Sequence, residues 1–105
     1  MKLLTAAIRK ALPALGTTAS LRADAVAVPL KIFNPCGGQT WFITELDETE
    51  GRAFGYVTGM GHNELGYIDF NALQTIRGRL GLPMERDLHW DPKTTLAQVT
   101  AGARS

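Results

Sequence analysis

The run from Glu64 to Trp90 constrains the fold more than any other stretch, because a strand pattern, a helix pattern and a second strand pattern follow one another there with turn residues between. Leu65, Tyr67, Ile68 and Phe70 make a short β-rich run. Asn71 followed by Gln74 has the spacing of a capping box, which predicts a helix starting near Ala72. On that helix Leu73 and Ile76 face the core and Arg77 sits in the last turn, and Gly78 ends it in a left-handed conformation. Beyond Gly81-Leu82-Pro83 the chain alternates strictly: Met84, Arg86, Leu88 and Trp90 on one side of a strand, Glu85, Asp87 and His89 on the other.

Upstream, Val26, Val28, Leu30 and Ile32 share one face of a first strand, although Pro29 removes a ladder donor and argues for an edge position or a late start. Asn34-Pro35-Cys36-Gly37-Gly38 is a turn. From Thr40 to Leu46 both faces are apolar, since Trp41 and Ile43 oppose Phe42 and Leu46, and a central strand is expected. A charged turn around Gly51, a third strand from Ala53 to Thr58 and the turn Gly59-Met60-Gly61-His62-Asn63 imply two hairpins in succession.

At the N-terminus Leu3 and Leu4 with the later Ala23-Asp24-Ala25 loosely imitate a secretory signal, but Arg9 and Lys10 break the apolar run. The preferred reading is a short amphipathic helix capped by Thr5, with Ile8, Ala11 and Leu12 on one face and Pro13 as its stop. Residues 16–25 read as a flexible connector. In the tail, residues 94–105, Thr94 or Thr95 caps a short, frayed helix over Leu96 to Val99. The whole is a single α+β domain over residues 1–105 with its sheet core at about 26–93: an antiparallel sheet of about five strands, a short N-terminal helix and a helix between the last two strands, with one face of the sheet covered by helix.

Several segments carry a resemblance. Glu64-Leu65-Gly66-Tyr67, Arg77-Gly78, Gly81-Leu82 and Glu85-Arg86-Asp87-Leu88-His89 are similar to the hallmark run of a family of small bacterial proteins of unknown function, common on plasmids and conjugative elements. Leu3-Leu4-Thr5 with Leu12-Pro13, Lys31-Ile32-Phe33-Asn34-Pro35, Thr40-Trp41 with Thr44-Glu45, and Phe54-Gly55-Tyr56-Val57 resemble family segments in the same order. The resemblance covers roughly residues 3 to 93. It implies a genomic setting and a fold class; it implies no activity and no catalytic residues.

Eleven basic and ten acidic residues give a formal charge of +1, so no overall field drives attachment to nucleic acid or to an anionic membrane. No segment approaches the ~20 apolar residues of a membrane span. The single cysteine, Cys36, excludes an intramolecular disulfide and a multi-cysteine zinc site, and the reducing cytosol is the expected location.

Glu85, Asp87 and His89, spaced by two, form a candidate acid–base or metal constellation, to which Glu45 and Asp47 add oxygen if their strand is adjacent. The competing reading is a solvated strand face, which alternation alone predicts. Arg86 falls among the apolar side chains, and a guanidinium held there needs a carboxylate, supplied by Glu64 or Glu45; the alternative is an arginine stem on apolar surface with its head in water. Such an ion-pair network, with Arg77 at the helix end, is more structural than ligand-binding. Cys36 with His62 or His89 is a weak nucleophile–base pair. Trp41, Tyr56 and Tyr67 stack bases if they share an exposed face, and otherwise form an aromatic core. Neither a dinucleotide fingerprint nor a phosphate loop is present, and no cofactor is implied.

The expectation is therefore a small cytosolic accessory or protein-interaction domain from a bacterial mobile element, docking a protein of the element or the host through a sheet edge or its acidic strand face. A metal-assisted hydrolase or nuclease using Glu85, Asp87 and His89 is the alternative, and single-stranded nucleic-acid binding is a third, less favoured reading.

Overall fold

A computed structural model describes residues 2–102. Helix α1 (Ala6–Ala11) is followed by strands β1 (Leu30–Phe33), β2 (Thr40–Asp47), β3 (Arg52–Thr58) and β4 (Glu64–Asp69), then α2 (Phe70–Thr75), β5 (Glu85–Arg86) and α3 (Leu96–Gly102). The strands form one antiparallel sheet in the order β4-β3-β2-β1-β5. This is the expected α+β architecture, with the short N-terminal helix and the helix between the last two strands. Among the described residues no helix is long and apolar enough to cross a membrane.

Both faces of the sheet are covered, not one. On the first, Leu30, Ile32, Trp41, Ile43, Leu46, Ala53 and Ile68 pack against Leu3, Leu4 and Leu12 around α1, Phe70 and Leu73 of α2, and Met84. On the second, Val26, Val28, Leu96 and Val99 gather Phe42, Tyr56 and Trp90. The N-terminal helix forms with its expected cap, the Thr5 hydroxyl accepting the Ile8 N–H at 3.1 Å; Ile8 and the C-cap Leu12 turn to the core, but Ala11, expected on the same face, is exposed.

The second layer exists because residues 94–102 pack as part of the fold. The Val28 N–H donates to the Thr94 carbonyl and the Leu96 N–H to the Val26 carbonyl, both at 2.8 Å, which pins α3 beside the approach to β1. Thr95 is the cap. Its hydroxyl accepts the Gln98 N–H at 3.2 Å while the Gln98 side chain accepts the Thr95 N–H at 2.8 Å, a reciprocal capping box. Residue 1 and residues 103–105 of the tail lie outside the described residues.

Four local expectations are corrected. Strand β1 starts late, as Pro29 argued, but Val26 and Val28 do not share a face with Leu30 and Ile32: the pairs belong to opposite layers, because the chain reaches the sheet only after Pro29. In β2 a bulge at Thr44 separates the pairs Ile43–Gly55 and Glu45–Phe54. One extra residue reverses the alternation, so Leu46 joins Trp41 and Ile43 while Glu45 turns to the second face.

The cap of α2 is Asp69, whose carboxylate accepts the Ala72 N–H at 3.0 Å, two residues before the predicted Asn71. The helix therefore ends at Thr75, leaving Ile76 exposed and Arg77 beyond its last turn. Gly78 has φ −83; the left-handed residues are Leu80 and Gly81 in the turn that follows. Finally, β5 keeps its alternation from Met84, buried, to Arg86 and then leaves the sheet. The Asp87 carboxylate accepts the His89 N–H at 2.9 Å and its carbonyl the Trp90 N–H at 3.3 Å, bending the chain into a turn that leaves Leu88 63% exposed.

Candidate functional site

The bulge at Thr44 places a carboxylate inside the second face. Glu45 is 3% exposed, and the segment expected as a flexible connector closes over it. The Gly16 N–H donates to one carboxylate oxygen at 2.9 Å; the Thr18 N–H, at 2.7 Å, and the Thr18 hydroxyl both donate to the other. Burial alone would raise the pKa of this carboxyl. The hydrogen bonds from Thr18 and Gly16 outweigh it and hold the group below its ordinary range. Glu45 is thus a charged anchor for the 16–18 turn, with most of its acceptor capacity filled.

Beside it lies a cleft of about 380 Å³ lined by Thr18, Leu21, Val26, Phe54, Leu65, Tyr67 and Leu96. Its open side is the outer strand. In β4, Leu65 and Tyr67 point to the second face and remain 47% and 69% exposed, with Phe54 and Tyr67 in edge-to-face contact at 5.3 Å and Arg52 over the Tyr67 ring at 5.7 Å. The Phe70 N–H to Gly51 carbonyl bond continues the β3–β4 ladder by one step. By the two-residue alternation of an antiparallel ladder, Glu64, Gly66 and Ile68 then bond to β3, and the backbone N–H and C=O groups of Leu65 and Tyr67 point away from the sheet. An edge of this kind accepts another strand.

The residues singled out in the sequence are dispersed over this frame. Arg86 lies on the Met84 side of β5, as alternation required, but neither expected carboxylate reaches it. Glu45 is held by Gly16 and Thr18, and Glu64 is on β4, at the opposite edge of the sheet, 3.4 Å from His62. The Arg86 guanidinium donates instead to the Lys2 carbonyl at 2.9 Å. Arg77 is exposed and bridges to Pro83.

Glu85 and Asp87 keep their spacing while His89 leaves with the turn. The Asp87 carboxylate is 3.4 Å from the Lys31 ammonium, which also sits over the Trp90 and Phe42 rings at 5.4 and 5.8 Å. Among the described residues no group of three or more His, Cys, Asp or Glu side chains is arranged to hold a metal ion. Cys36 is half-buried in its turn, with its N–H donated to the Asn34 side chain at 2.9 Å. Trp41 belongs to the first layer and Tyr56 to the second face, while Tyr67 on the outer strand borders a cleft on each side, so the three do not share one stacking face.

Sequence reasoning named Glu45 but not Thr18, since nothing local ties a threonine to a carboxylate so far along the chain. It read Leu65 and Tyr67 as strand residues. Their exposure follows from β4 being outermost, which no local pattern encodes.

A small α+β domain with a five-stranded antiparallel sheet layered on both faces is the class that these elements define. Within it, the chain belongs to the family described as Protein of unknown function (DUF2958), whose model matches residues 3–105. No curated protein and no solved structure matches the chain.

Proposed function

We propose that this chain is an accessory protein-interaction domain of a bacterial mobile element, working in the cytosol, that takes up an extended segment of a protein from the element or its host along β4. The observation that carries the reading is the open six-residue edge of β4 with Leu65 and Tyr67 exposed beside an apolar cleft. Main-chain bonds to Leu65 and Tyr67 supply affinity, and side chains entering the cleft at alternate positions supply selectivity. The metal-assisted hydrolase reading has less support, because Glu85, Asp87 and His89 do not converge.

The test compares wild-type protein with Leu65→Lys/Tyr67→Lys, whose lysines guard the edge without touching the core. Wild type should retain a defined partner from cells that carry the element and gain hydrogen-exchange protection at the Leu65 and Tyr67 amides on binding it; the double variant should lose both. Equal retention by both proteins, or substrate turnover by the purified chain alone, would overturn the proposal.

A further inference from the structure

The loop after α2 presents an apolar tip that the fold itself does not use. Residues 76–83 double back on themselves: the Gly78 N–H donates to the Leu82 carbonyl at 2.8 Å, the Gly81 N–H to the Gly78 carbonyl at 3.1 Å, and Arg77 bridges to Pro83. Gly78 lies so close to Asn34 that a Cβ there would come within 2.8 Å of the Asn34 Oδ1, so the loop is braced against the β1–β2 turn. At its tip Leu80 takes φ 66 and ψ 11, a left-handed conformation that disfavours any residue with a Cβ. Leu80 is 89% exposed, with Ile76 and Leu82 exposed near it. A strained, rigidly displayed leucine contributes nothing to the core. Such strain is a pointer to contact with something outside the chain. Arg77 and Arg79 flank it, and no acidic residue occurs between Asn71 and Met84.

The complementary surface is on the same molecule. A cleft of about 320 Å³ opens where β4 meets α2, lined by the apolar Trp41, Val57, Met60, Ile68 and Leu73, by Tyr67, and by the polar Glu64, Asp69 and His62. We propose that a second copy of this chain seats its Leu80 in this cleft, with Arg77 and Arg79 against Glu64 and Asp69. The charges are complementary: an apolar tip between two arginines meets a mixed cleft with two carboxylates, Glu64 beside His62 and Asp69 with one oxygen capping α2. Helix α2 carries Leu73 in the cleft wall and leads directly into the loop, so tip and cleft are neighbours. A two-fold axis between two copies then makes the same contact twice and closes the assembly. Tyr67 borders this cleft as well as the one on the other face, whereas Leu65 borders only the latter, so Leu65→Lys separates the two readings: it should abolish strand docking and leave this pairing intact.

Sedimentation equilibrium of the full chain from micromolar to millimolar concentration tests it. A reversible dimer is expected, weakened by salt because the rim pairs are exposed. Leu80→Asp should weaken it by at least about tenfold. Leu80→Gly relieves the left-handed strain, so it should melt no lower than wild type and still associate more weakly. Arg77→Glu/Arg79→Glu and Glu64→Lys/Asp69→Asn should each be monomeric alone, since like charges then meet, and should pair when mixed, because both contacts regain opposite charges. A chain that is monomeric throughout, a dimer indifferent to Leu80→Asp, or a charge-swapped mixture that stays monomeric overturns the proposal.

Discussion

The Thr18 hydroxyl and the Thr18 backbone N–H both donate to one carboxylate oxygen of Glu45, a residue 27 positions further along the chain. With the Gly16 N–H on the other oxygen, the carboxylate fixes a turn that has little apolar content of its own. Replacing Glu45 by Ala leaves two backbone donors without their acceptor in a poorly solvated place. The expected loss is about 2 kcal/mol in chemical denaturation at neutral pH.

The same carboxylate makes stability depend on pH. Its folded pKa is depressed, the hydrogen bonds from Thr18 and Gly16 overcoming the opposite effect of burial. A depressed carboxyl stabilises the fold fully above its unfolded pKa of about 4.3, and that contribution is lost as pH falls through the folded value. The gap in denaturant midpoint between wild type and Glu45→Gln should therefore be wide at neutral pH and narrow progressively in acid below that point. A gap independent of pH would assign the anchoring to the shape of the side chain and not to its charge.

Helix α2 offers a sharper comparison, because two residues, Asp69 and Asn71, both have capping chemistry and only one is used. Asp69 accepts the Ala72 N–H. Asp69→Ala should cost about 1 kcal/mol, the worth of an N-cap, whereas Asn71→Ala, on the exposed side of the first turn, should stay within about 0.5 kcal/mol. Matching losses would place the start of the helix where the Asn71–Gln74 spacing suggested.

How far the sequence discloses this fold depends on the range of the interactions concerned. The strands, the turns between them and the helix before Met84 are written in local periods and turn residues, and they form in the expected order. The misplaced features are decided by pairing. The Thr44 bulge depends on how β2 registers with β3, so the sides of Glu45 and Leu46 cannot be read from β2 alone. Arg86 was assigned a carboxylate because its alternation with Met84 was correct; that Glu64 is at the far edge follows from β5 pairing with β1. The candidate site is less legible still. Leu65 and Tyr67 are ordinary strand residues until β4 is known to be outermost.

Arg86 can be tested on its own terms. Held in a buried ion pair, its removal would cost roughly 3 kcal/mol. Its guanidinium donates to the Lys2 carbonyl at the margin of the sheet, and the loss of that charge-assisted bond by itself should cost about 1.5 kcal/mol in Arg86→Ala. Urea titration of Arg86→Ala separates the two values.

The tail provides the last test, since the period of its sequence promised a frayed end and the structure makes it half of the second layer. Leu96 and Val99 are buried against Val26 and Val28, and the 94–96 segment exchanges backbone bonds with residues 26–28. Leu96→Ala should then cost about 2 to 5 kcal/mol, the range for a leucine truncated in a packed site. Thr95→Ala should cost about 1 kcal/mol through the lost capping box. Both losses should appear in the same cooperative transition as the sheet, followed by the fluorescence of Trp90, whose indole N–H donates to the Val28 carbonyl at 2.7 Å. If α3 were a loosely attached end, Leu96→Ala would leave that transition where it was and only the exchange rates of the last amides would rise.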